Sequence, residues 1–251
     1  MNAWQFIATQ YKPLDQFYPI HKFGRNTDVD SAGNEDVIEI GGLAVFDTGG
    51  TTIEAVSSDA GDTMSIWAEG VDASYNWIRE QITLTGTDAV EFTTQFYHVF
   101  RARVVGNTAP TGQITIRKQT GPSTRIIIGS GYGGTLHGAF TIPTGYVGHL
   151  LSWAQSASKS ATNNIDMTIE LLSRPSTGTW VEESTIEFRT ESVASKFDFD
   201  CPPKLVGPVD LRAYVETMSA NDVRVSASFN VLLEKLATTD RSPAGPTLVG
   251  F

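Results

Sequence analysis

The sequence predicts an all-β protein built from two antiparallel β-sandwich domains, the second of them jelly-roll-like, with an extended N-terminal arm and a C-terminal tail. Apolar and polar residues alternate along many short runs, which is typical of half-buried strands. Clusters of Gly, Pro, Asn, Asp and Ser separate these runs at short, fairly regular intervals. No helical pattern lies between the runs, and this combination favours sandwiches over a fold with crossover helices.

The best internal boundary is the turn cluster Thr120-Gly121-Pro122-Ser123, which separates two series of strand-like runs. We therefore expect four parts: an N-terminal arm over residues 1–41, a first β-sandwich over 42–120, a second, jelly-roll-like β-sandwich over 121–237, and a C-terminal tail over 238–251.

In the first domain, Met64 to Ala68 alternates apolar and polar residues, and so does the run that begins at Trp77, with Glu80 as a flaw in its apolar face. The predicted strands of this domain are 42–46, 51–57, 64–68, 77–84, 89–94, 96–105 and 113–118.

The stretch 125–155 organises the second domain. A β-branched run, Ile126-Ile127-Ile128, ends at a glycine-rich turn, and a further strand leads into Pro143-Thr144-Gly145. Proline fixes φ and glycine accepts positive φ, so this tripeptide predicts a tight turn and a returning strand. We expect hairpins of one antiparallel sheet here.

Beyond a polar loop at 156–164, the alternation of Val223, Val225, Ala227, Phe229 and Val231 is the clearest strand signal. The predicted strands of this part are 146–153, 165–173, 179–190, 195–199, 209–217 and 223–233. About eight short strands suit a jelly-roll-like sandwich.

The N-terminal arm is aromatic and is interrupted by Pro13 and Pro19, which keep the backbone extended and remove donors. A self-contained sheet is therefore not expected there, although residues 1–10 could form a short helix. The arm either lies on its own domain or docks on a neighbouring subunit. Its aromatic residues and the last residue of the tail are the predicted interaction residues: Trp4, Phe6, Tyr11, Phe17, Tyr18, Phe23 and Phe251.

The chain has 251 residues and a formal net charge of −10, with 40% hydrophobic and 18% charged residues, so we expect a packed, acidic, soluble fold. Nucleic acids and anionic membranes need clustered Lys and Arg, so neither is an expected partner. The single Cys201 excludes an internal disulfide framework. The amino terminus lacks the pattern of a secretory signal, and no run approaches the roughly 18–20 apolar residues of a membrane helix.

One acidic loop has the spacing of a calcium loop. Asp28, Asp30, Asp36 and Glu39 stand among its acidic positions, with Gly33 at the sixth place. The fifth ligand place is alanine, however, and a strand-like run follows where a helix should. A solvated turn is the alternative, and no cofactor or other metal is expected.

No catalytic constellation is evident. His21, His98, His137 and His149 lie in separate segments, and each is expected to be satisfied locally, although His137 and His149 could meet across a hairpin. The glycines of 129–134 superficially resemble a phosphate-binding loop, but a strand-like run follows instead of a helix. We expect a non-enzymatic protein.

Exposed aromatic rings beside polar residues can bind sugars. Trp67, Tyr75 and Trp77, near the loop 70–76, are the candidates for a glycan contact. The alternative is that they are ordinary core and surface aromatics.

Four segments resemble a group of mostly uncharacterised structural proteins of tailed bacteriophages, especially marine and cyanobacterial ones. They are IHKFGRNTDVD (20–30), FYHVFRARV (96–104), YGGTLHGAFTIPTGYVGHLL (132–151) and DLRAYVETMSANDVRVSASFNVLL (210–233). The resemblance spans nearly the whole chain in order, but none of the segments is a chemical motif.

This resemblance implies a virion component, made in the host cytoplasm, with β-rich domains and no known active site. The first hypothesis is a capsid decoration or cement protein, expected to be a homo-oligomer, that contacts copies of itself and the major capsid protein. A tail, neck or fibre-associated adaptor or receptor-binding protein is the second, and a carbohydrate-binding module or hydrolase is the third.

Overall fold

The computed structural model describes residues 16–31, 33–159, 165–176, 178–190 and 192–236, and every regular element within these ranges is a β-strand. The all-β prediction is confirmed. The strands are β1 (Phe17–Val29), β2 (Glu35–Asp36), β3 (Ile53–Ser57), β4 (Ser65–Val71), β5 (Trp77–Thr83), β6 (Val90–Glu91), β7 (His98–Val104), β8 (Ile114–Lys118), β9 (Thr124–Ile128), β10 (Ala139–Ile142), β11 (Tyr146–Ser158), β12 (Ile165–Pro175), β13 (Val181–Thr190), β14 (Ser192–Asp198), β15 (Lys204–Val206), β16 (Val209–Met218) and β17 (Val223–Lys235).

The strands form four antiparallel sheets. Sheet I has the order β1–β17–β11–β14, with β15 also paired to β11. Sheet II has the order β10–β16–β12–β13, with β2 paired to β16. Sheet III runs β6–β3–β8–β9, and sheet IV runs β5–β4–β7. No helix in the described ranges is long and apolar enough to cross a membrane.

Two hydrophobic clusters hold the sheets together. The larger one draws mainly on the inward residues of sheets I and II, such as Trp153, Leu171 and Phe229. The smaller one draws on sheets III and IV. However, Val71 and Phe100, which lie on β4 and β7 of sheet IV, belong to the larger cluster. The four sheets are therefore not cleanly divided into two separate sandwiches.

The predicted boundary at residue 120 falls inside a sheet. β9, which follows the turn cluster, pairs with β8, which precedes it, and Ile114 lies opposite Ile128. The turn is thus a hairpin connection within sheet III. The β-branched residues of β9 are buried, and Ile126 lies in the same hydrophobic cluster as Ile114. Both its pairing and its burial therefore place β9 with the strands that precede it.

The prediction of an irregular arm up to residue 41 is wrong for the thirteen residues of β1. This strand pairs along its length with β17, from Phe17 opposite Glu234 to Val29 opposite Val223. Its buried positions include Lys22, Gly24 and Asn26 between the apolar Ile20 and Val29, so its buried face is only partly apolar and no clear alternation is visible in the sequence. Tertiary pairing with a strong neighbouring strand supplies the order that the pattern lacks.

The prediction that the stretch 125–155 forms hairpins of one sheet is wrong. β10 pairs with β16 in sheet II, whereas β11 pairs with β17 in sheet I. The turn between them, with Gly145 at φ 82°, therefore carries the chain from one sheet to the other. The predicted strand at 42–46 is also absent, because this segment is a loop whose Ala44 amide donates to the Asp36 carboxylate.

Glu80, the polar flaw in β5, holds a neighbouring turn. Its carboxylate accepts hydrogen bonds from the Thr93 amide and hydroxyl, each at 2.9 Å, and from the Thr94 amide at 2.7 Å. Although desolvation acts in the opposite direction, these bonds lower the pKa of Glu80.

We expect Glu80→Ala to lower the free energy of unfolding by about 1–3 kcal/mol, because it leaves these donors without their acceptor. The exposed neighbour Gln81→Ala should change it by less than about 0.5 kcal/mol. Urea unfolding followed by circular dichroism measures both. Equal effects for the two variants would contradict this role for Glu80.

Candidate functional site

A buried polar cluster joins three strands of sheet II to sheet IV. Asp210 on β16 is completely buried, and its Oδ1 accepts a hydrogen bond of 2.8 Å from the Thr141 hydroxyl on β10. The same oxygen lies 3.2 Å from Nδ1 of His98 on β7, and Arg174 on β12 donates to Oδ2 at 2.8 Å. Although burial acts to raise it, the bonds from His98, Arg174 and Thr141 lower the pKa of Asp210.

The cluster contains a hydroxyl, an imidazole and a carboxylate, but not in the order that nucleophilic catalysis uses. In a catalytic triad the imidazole lies between hydroxyl and carboxylate, and each of its two nitrogens binds one of them. Here Nδ1 of His98 faces both the Thr141 hydroxyl, at 2.9 Å, and Asp210. Thr141 is also fully buried. The arrangement suits a brace between sheets.

A ladder of alternating rings and guanidinium groups lies beside this brace. The Arg174 guanidinium carbon is 5.1 Å from the ring centre of Phe46 and 4.5 Å from that of Trp180. The Arg212 guanidinium carbon is 4.2 Å from Trp180 and 4.5 Å from Tyr214. Trp180 is therefore in contact with two cations, which its electron-rich faces attract.

We expect Trp180→Ala to destabilise the protein by about 1–3 kcal/mol, because both cation–π contacts, each worth about 0.5–1 kcal/mol when exposed, are lost with the buried part of the ring. Trp180→Phe keeps a ring and should retain part of this energy. The adjacent Val181→Ala, at a residue that is 53% exposed, is the control. Thermal unfolding measures the three variants. Any order other than Trp180→Ala least stable, Trp180→Phe intermediate and Val181→Ala most stable would contradict the contribution of the ladder to stability.

Two residues of the predicted calcium loop are instead held by arginine side chains. Asp36 is buried, accepts a hydrogen bond of 2.7 Å from the Ala44 amide and lies 3.4 Å from Arg212. Burial raises the pKa of Asp36 to about 6, against the opposing effect of Arg212. Glu39 accepts a hydrogen bond of 3.1 Å from Arg25. The predicted grouping of Asp36 and Glu39 with the first acids of the loop is therefore not formed.

The other two calcium candidates lie in a different environment. Desolvation and a hydrogen bond with Asp222 raise the pKa of Asp28, and Asp30 and Glu35 add to the negative charge around it. The Asp30 amide donates to Glu35 at 3.4 Å. Within the described ranges no group of three or more His, Cys, Asp or Glu side chains is arranged to hold a metal ion.

The histidines take separate partners. His137 is buried and its backbone bridges to Ile38, whereas Nε2 of His149 lies 2.8 Å from Glu234. The two therefore do not meet across a hairpin, because β10 and β11 belong to different sheets. His21 is exposed, and its Nδ1 is 2.9 Å from Asn230.

The three candidate sugar-binding aromatics contact different partners. Trp67 lies under the Arg79 guanidinium, which is 4.0 Å from its ring centre. Tyr75 contacts Tyr97 edge-to-face at 5.0 Å, and burial together with a hydrogen bond to Tyr97 raises its pKa. The Trp77 indole donates to Glu69 at 2.6 Å.

The predicted interaction residues are only partly visible. Trp4, Phe6, Tyr11 and Phe251 lie outside the described residues. Phe17, Tyr18 and Phe23 lie on β1, where Tyr18 and Phe23 are exposed. Tyr18 meets the rings of Trp77 at 6.3 Å and Tyr146 at 5.9 Å, both edge-to-face. Phe23 lines a shallow groove of about 360 Å³ across β17, β11 and β14.

Sequence reasoning missed Thr141, Arg174, Trp180, Asp210 and Arg212. A weak signal was present, because Asp210 and Arg212 fall on one face of the predicted strand 209–217. A pair of charged residues on a strand face is common at a solvated surface, and only the packing of a loop and neighbouring strands over that face buries Asp210 and partly buries Arg212.

The chain matches no protein-family model, and no curated protein matches its sequence. Among solved structures it is similar to that of the Gx strain of infectious bursal disease virus, with 9% identity over 91% of this chain and 78% of that chain and a TM-score of 0.22. The VP2 subviral particle of the same virus gives 11% identity over 90% and 78% and a TM-score of 0.15. TM-scores this low define neither a shared fold nor a shared function.

Proposed function

We propose that this chain is a non-enzymatic structural protein of a virus particle, most specifically a decoration or cement protein on the capsid of a tailed bacteriophage. In this proposal sheets I and II act as one jelly-roll-like sandwich and sheets III and IV as another. The chain contacts copies of itself and the major capsid protein.

The observation that carries the proposal is where the four phage-like segments lie. All but the last residue of 20–30 lie in β1, 96–104 include β7, 132–151 include β10 and the start of β11, and 210–233 include most of β16 and of β17. These strands pair with one another, β1 with β17, β17 with β11, and β10 with β16. The segments therefore build one connected part of the fold, which supports a resemblance of the whole scaffold.

Contacts between side chains and backbone tie the remaining segment to this group. Arg101 donates to the His21 carbonyl oxygen at 2.9 Å, and Lys22 donates to the Phe100 carbonyl oxygen. The brace of His98 and Asp210 joins β7 to β16, which is another strand of the group. Multiple crosslinks between sheets suit a protein whose role is mechanical.

Assembly contacts would use the end of sheet I at which β1 begins and β17 ends. Phe17, the first residue of β1, lies opposite Glu234, near the end of β17. The exposed Tyr18 and the partly buried Trp77 and Tyr146 form an aromatic group at this end. Aromatic residues are enriched in protein interfaces, so this is the surface at which we expect neighbours to bind.

Quantitative mass spectrometry of purified particles tests the proposal. A decoration or cement protein should be present in hundreds of copies per particle. Six or twelve copies would instead indicate the tail or neck adaptor, and absence from the particles would overturn a structural role altogether.

A further inference from the structure

The outer face of sheet IV carries an arginine-rich surface. Trp67 lies in register with Gln81 on one side and Arg103 on the other, and Glu69 lies between Arg79 and Arg101. Residues directly opposite in an antiparallel sheet project from the same face. The opposite face carries the Ile66 and Ala68 side chains into the smaller hydrophobic cluster.

This surface is positive on a protein whose formal net charge is −10. The two sets of paired residues contain three arginines, Arg79, Arg101 and Arg103, and a single acid, Glu69. Glu69 is buried, accepts a hydrogen bond of 2.6 Å from the Trp77 indole and lies 3.6 Å from Arg101. Arg79 and Arg103 are exposed, and neither forms an ion pair within the described part of the chain. Two guanidinium groups are thus available to an anion.

The surface is also pre-organised. The Arg79 guanidinium lies 4.0 Å from the centre of the Trp67 ring, and this contact holds a flexible side chain over the sheet. Gln81, in the same row as Trp67, is exposed and offers both a donor and an acceptor. Guanidinium groups bind carboxylates and sulfates through two parallel hydrogen bonds, and an amide suits sugar hydroxyls.

We propose that the outer face of sheet IV binds an anionic polysaccharide. Arg79 and Arg103 bind its acidic groups, Gln81 binds a hydroxyl group, and Trp67 positions Arg79. This binding activity is independent of where in a particle the chain resides.

Charge and chemistry favour this ligand over two others. A protein partner would need an apolar anchor at the centre of its interface, and Trp67, at the centre of this face, is covered by the Arg79 guanidinium. A nucleic acid carries a charge about every 1.7 Å of duplex, so the part that extends beyond the patch would be repelled by the acidic remainder of the surface. A polysaccharide with sparse acidic groups avoids this repulsion.

Affinity electrophoresis through gels that contain carboxymethyl dextran or unmodified dextran tests the proposal, because the two polymers share one backbone. We expect the protein to be retarded by carboxymethyl dextran only, and less so as NaCl rises. The double variant Arg79→Gln/Arg103→Gln should bind at least tenfold more weakly. Trp67→Ala should weaken binding several-fold while its circular dichroism spectrum is unchanged.

The matched control is Arg189→Gln/Lys204→Gln, which changes the net charge by the same amount at exposed positions elsewhere. It should bind within twofold of the unaltered protein. An equal loss in the control, equal retardation by neutral dextran, no retardation at all, or tighter binding of single-stranded DNA would each overturn the proposal. Self-association that disappears in the Arg79/Arg103 variant would assign the face to a second copy and would also overturn it.

Discussion

Replacing Asp210 with alanine should lower the free energy of unfolding by about 3–5 kcal/mol, because removing one partner of a buried ion pair leaves uncompensated charge and unpaired donors. The variant loses the acceptor of the Thr141 hydroxyl, the partner of His98 and the partner of Arg174 at once. His98 and Thr141 are both buried, so water cannot replace that acceptor without opening the sheet junction.

The measurement is urea unfolding at neutral pH, followed by tryptophan fluorescence. Asp88, whose side chain is exposed, provides the control, and Asp88→Ala should change the free energy by less than about 0.5 kcal/mol. Asp210→Asn keeps the shape and one acceptor, and it should fall between the two. A loss below 1 kcal/mol for Asp210→Ala would show that the buried cluster is not a brace.

The same cluster sets the direction in which the stability of the fold changes with pH. The pKa of Asp210 is lowered in the folded state, so its contribution to stability is present above the ordinary carboxyl pKa and is lost as pH falls through the lowered value. Asp210→Asn should therefore be less sensitive to acid in that range than the unaltered protein.

A second large effect is expected at mildly acidic pH. Burial and, to a smaller extent, the neighbouring Lys22 lower the pKa of His137 from 6.5 to about 3. Between these values the unfolded chain binds a proton that the folded chain does not, so stability falls as pH decreases. At about 1.4 kcal/mol per pH unit, the loss is about 2 kcal/mol at pH 5 and approaches 5 kcal/mol near pH 3.

His137→Gln removes the titrating group. The free energy of unfolding of this variant should therefore vary less with pH between about 6.5 and 3 than that of the unaltered protein. Gln81→Ala, which replaces an exposed side chain that does not titrate, is the control and should leave the slope unchanged. The test compares how steeply the free energy of unfolding changes with pH, so it is valid even where His137→Gln is less stable at every pH. Identical slopes for all three proteins would contradict the buried, neutral state of His137.

Lys22 also makes the stability of the fold decrease as pH falls, but it does so at higher pH than His137. It is buried beside His137, and desolvation followed by the charge of Arg101 lowers its pKa well below 10.5. Two buried bases thus lie where β1 meets sheet IV, and acid weakens that contact. The sequence could not show this, because a lysine is ordinarily exposed and an apolar residue, Phe23, follows it.

The sequence predicted best those strands whose buried face is apolar. β12, β16 and β17 lie within a few residues of their predicted bounds, because Ile169, Leu171, Val215 and Phe229 alternate with polar residues that face outward. Local pattern and tertiary burial agree in these strands, and the pattern alone is then sufficient.

The prediction failed where burial is polar or pairing is non-local. β1 buries Lys22 and Asn26. Lys22 donates a hydrogen bond to the Phe100 carbonyl oxygen and Asn26 donates one to Glu35, and no apolar pattern in the sequence indicates either partner. The turn at Gly145 has the chemistry of a hairpin, yet its flanking strands enter different sheets. Turn residues report the local backbone and not the partner of the next strand.

The candidate site could not be predicted for a related reason. His98, Thr141, Arg174 and Asp210 come from four strands, and no spacing in the sequence relates them. The arginine-rich face of sheet IV is likewise formed by register, since Arg79, Trp67 and Arg103 belong to three strands. Alternation predicts that each residue points outward, but only the pairing makes them neighbours.

A reconstruction of purified virus particles tests the central claim most directly. The account predicts an all-β density of the size of this chain, repeated over the outside of the head and joined to its neighbours at the end where Tyr18 and Tyr146 lie. Particles that lack such density, or that carry it only on the tail, would contradict the assignment to capsid decoration.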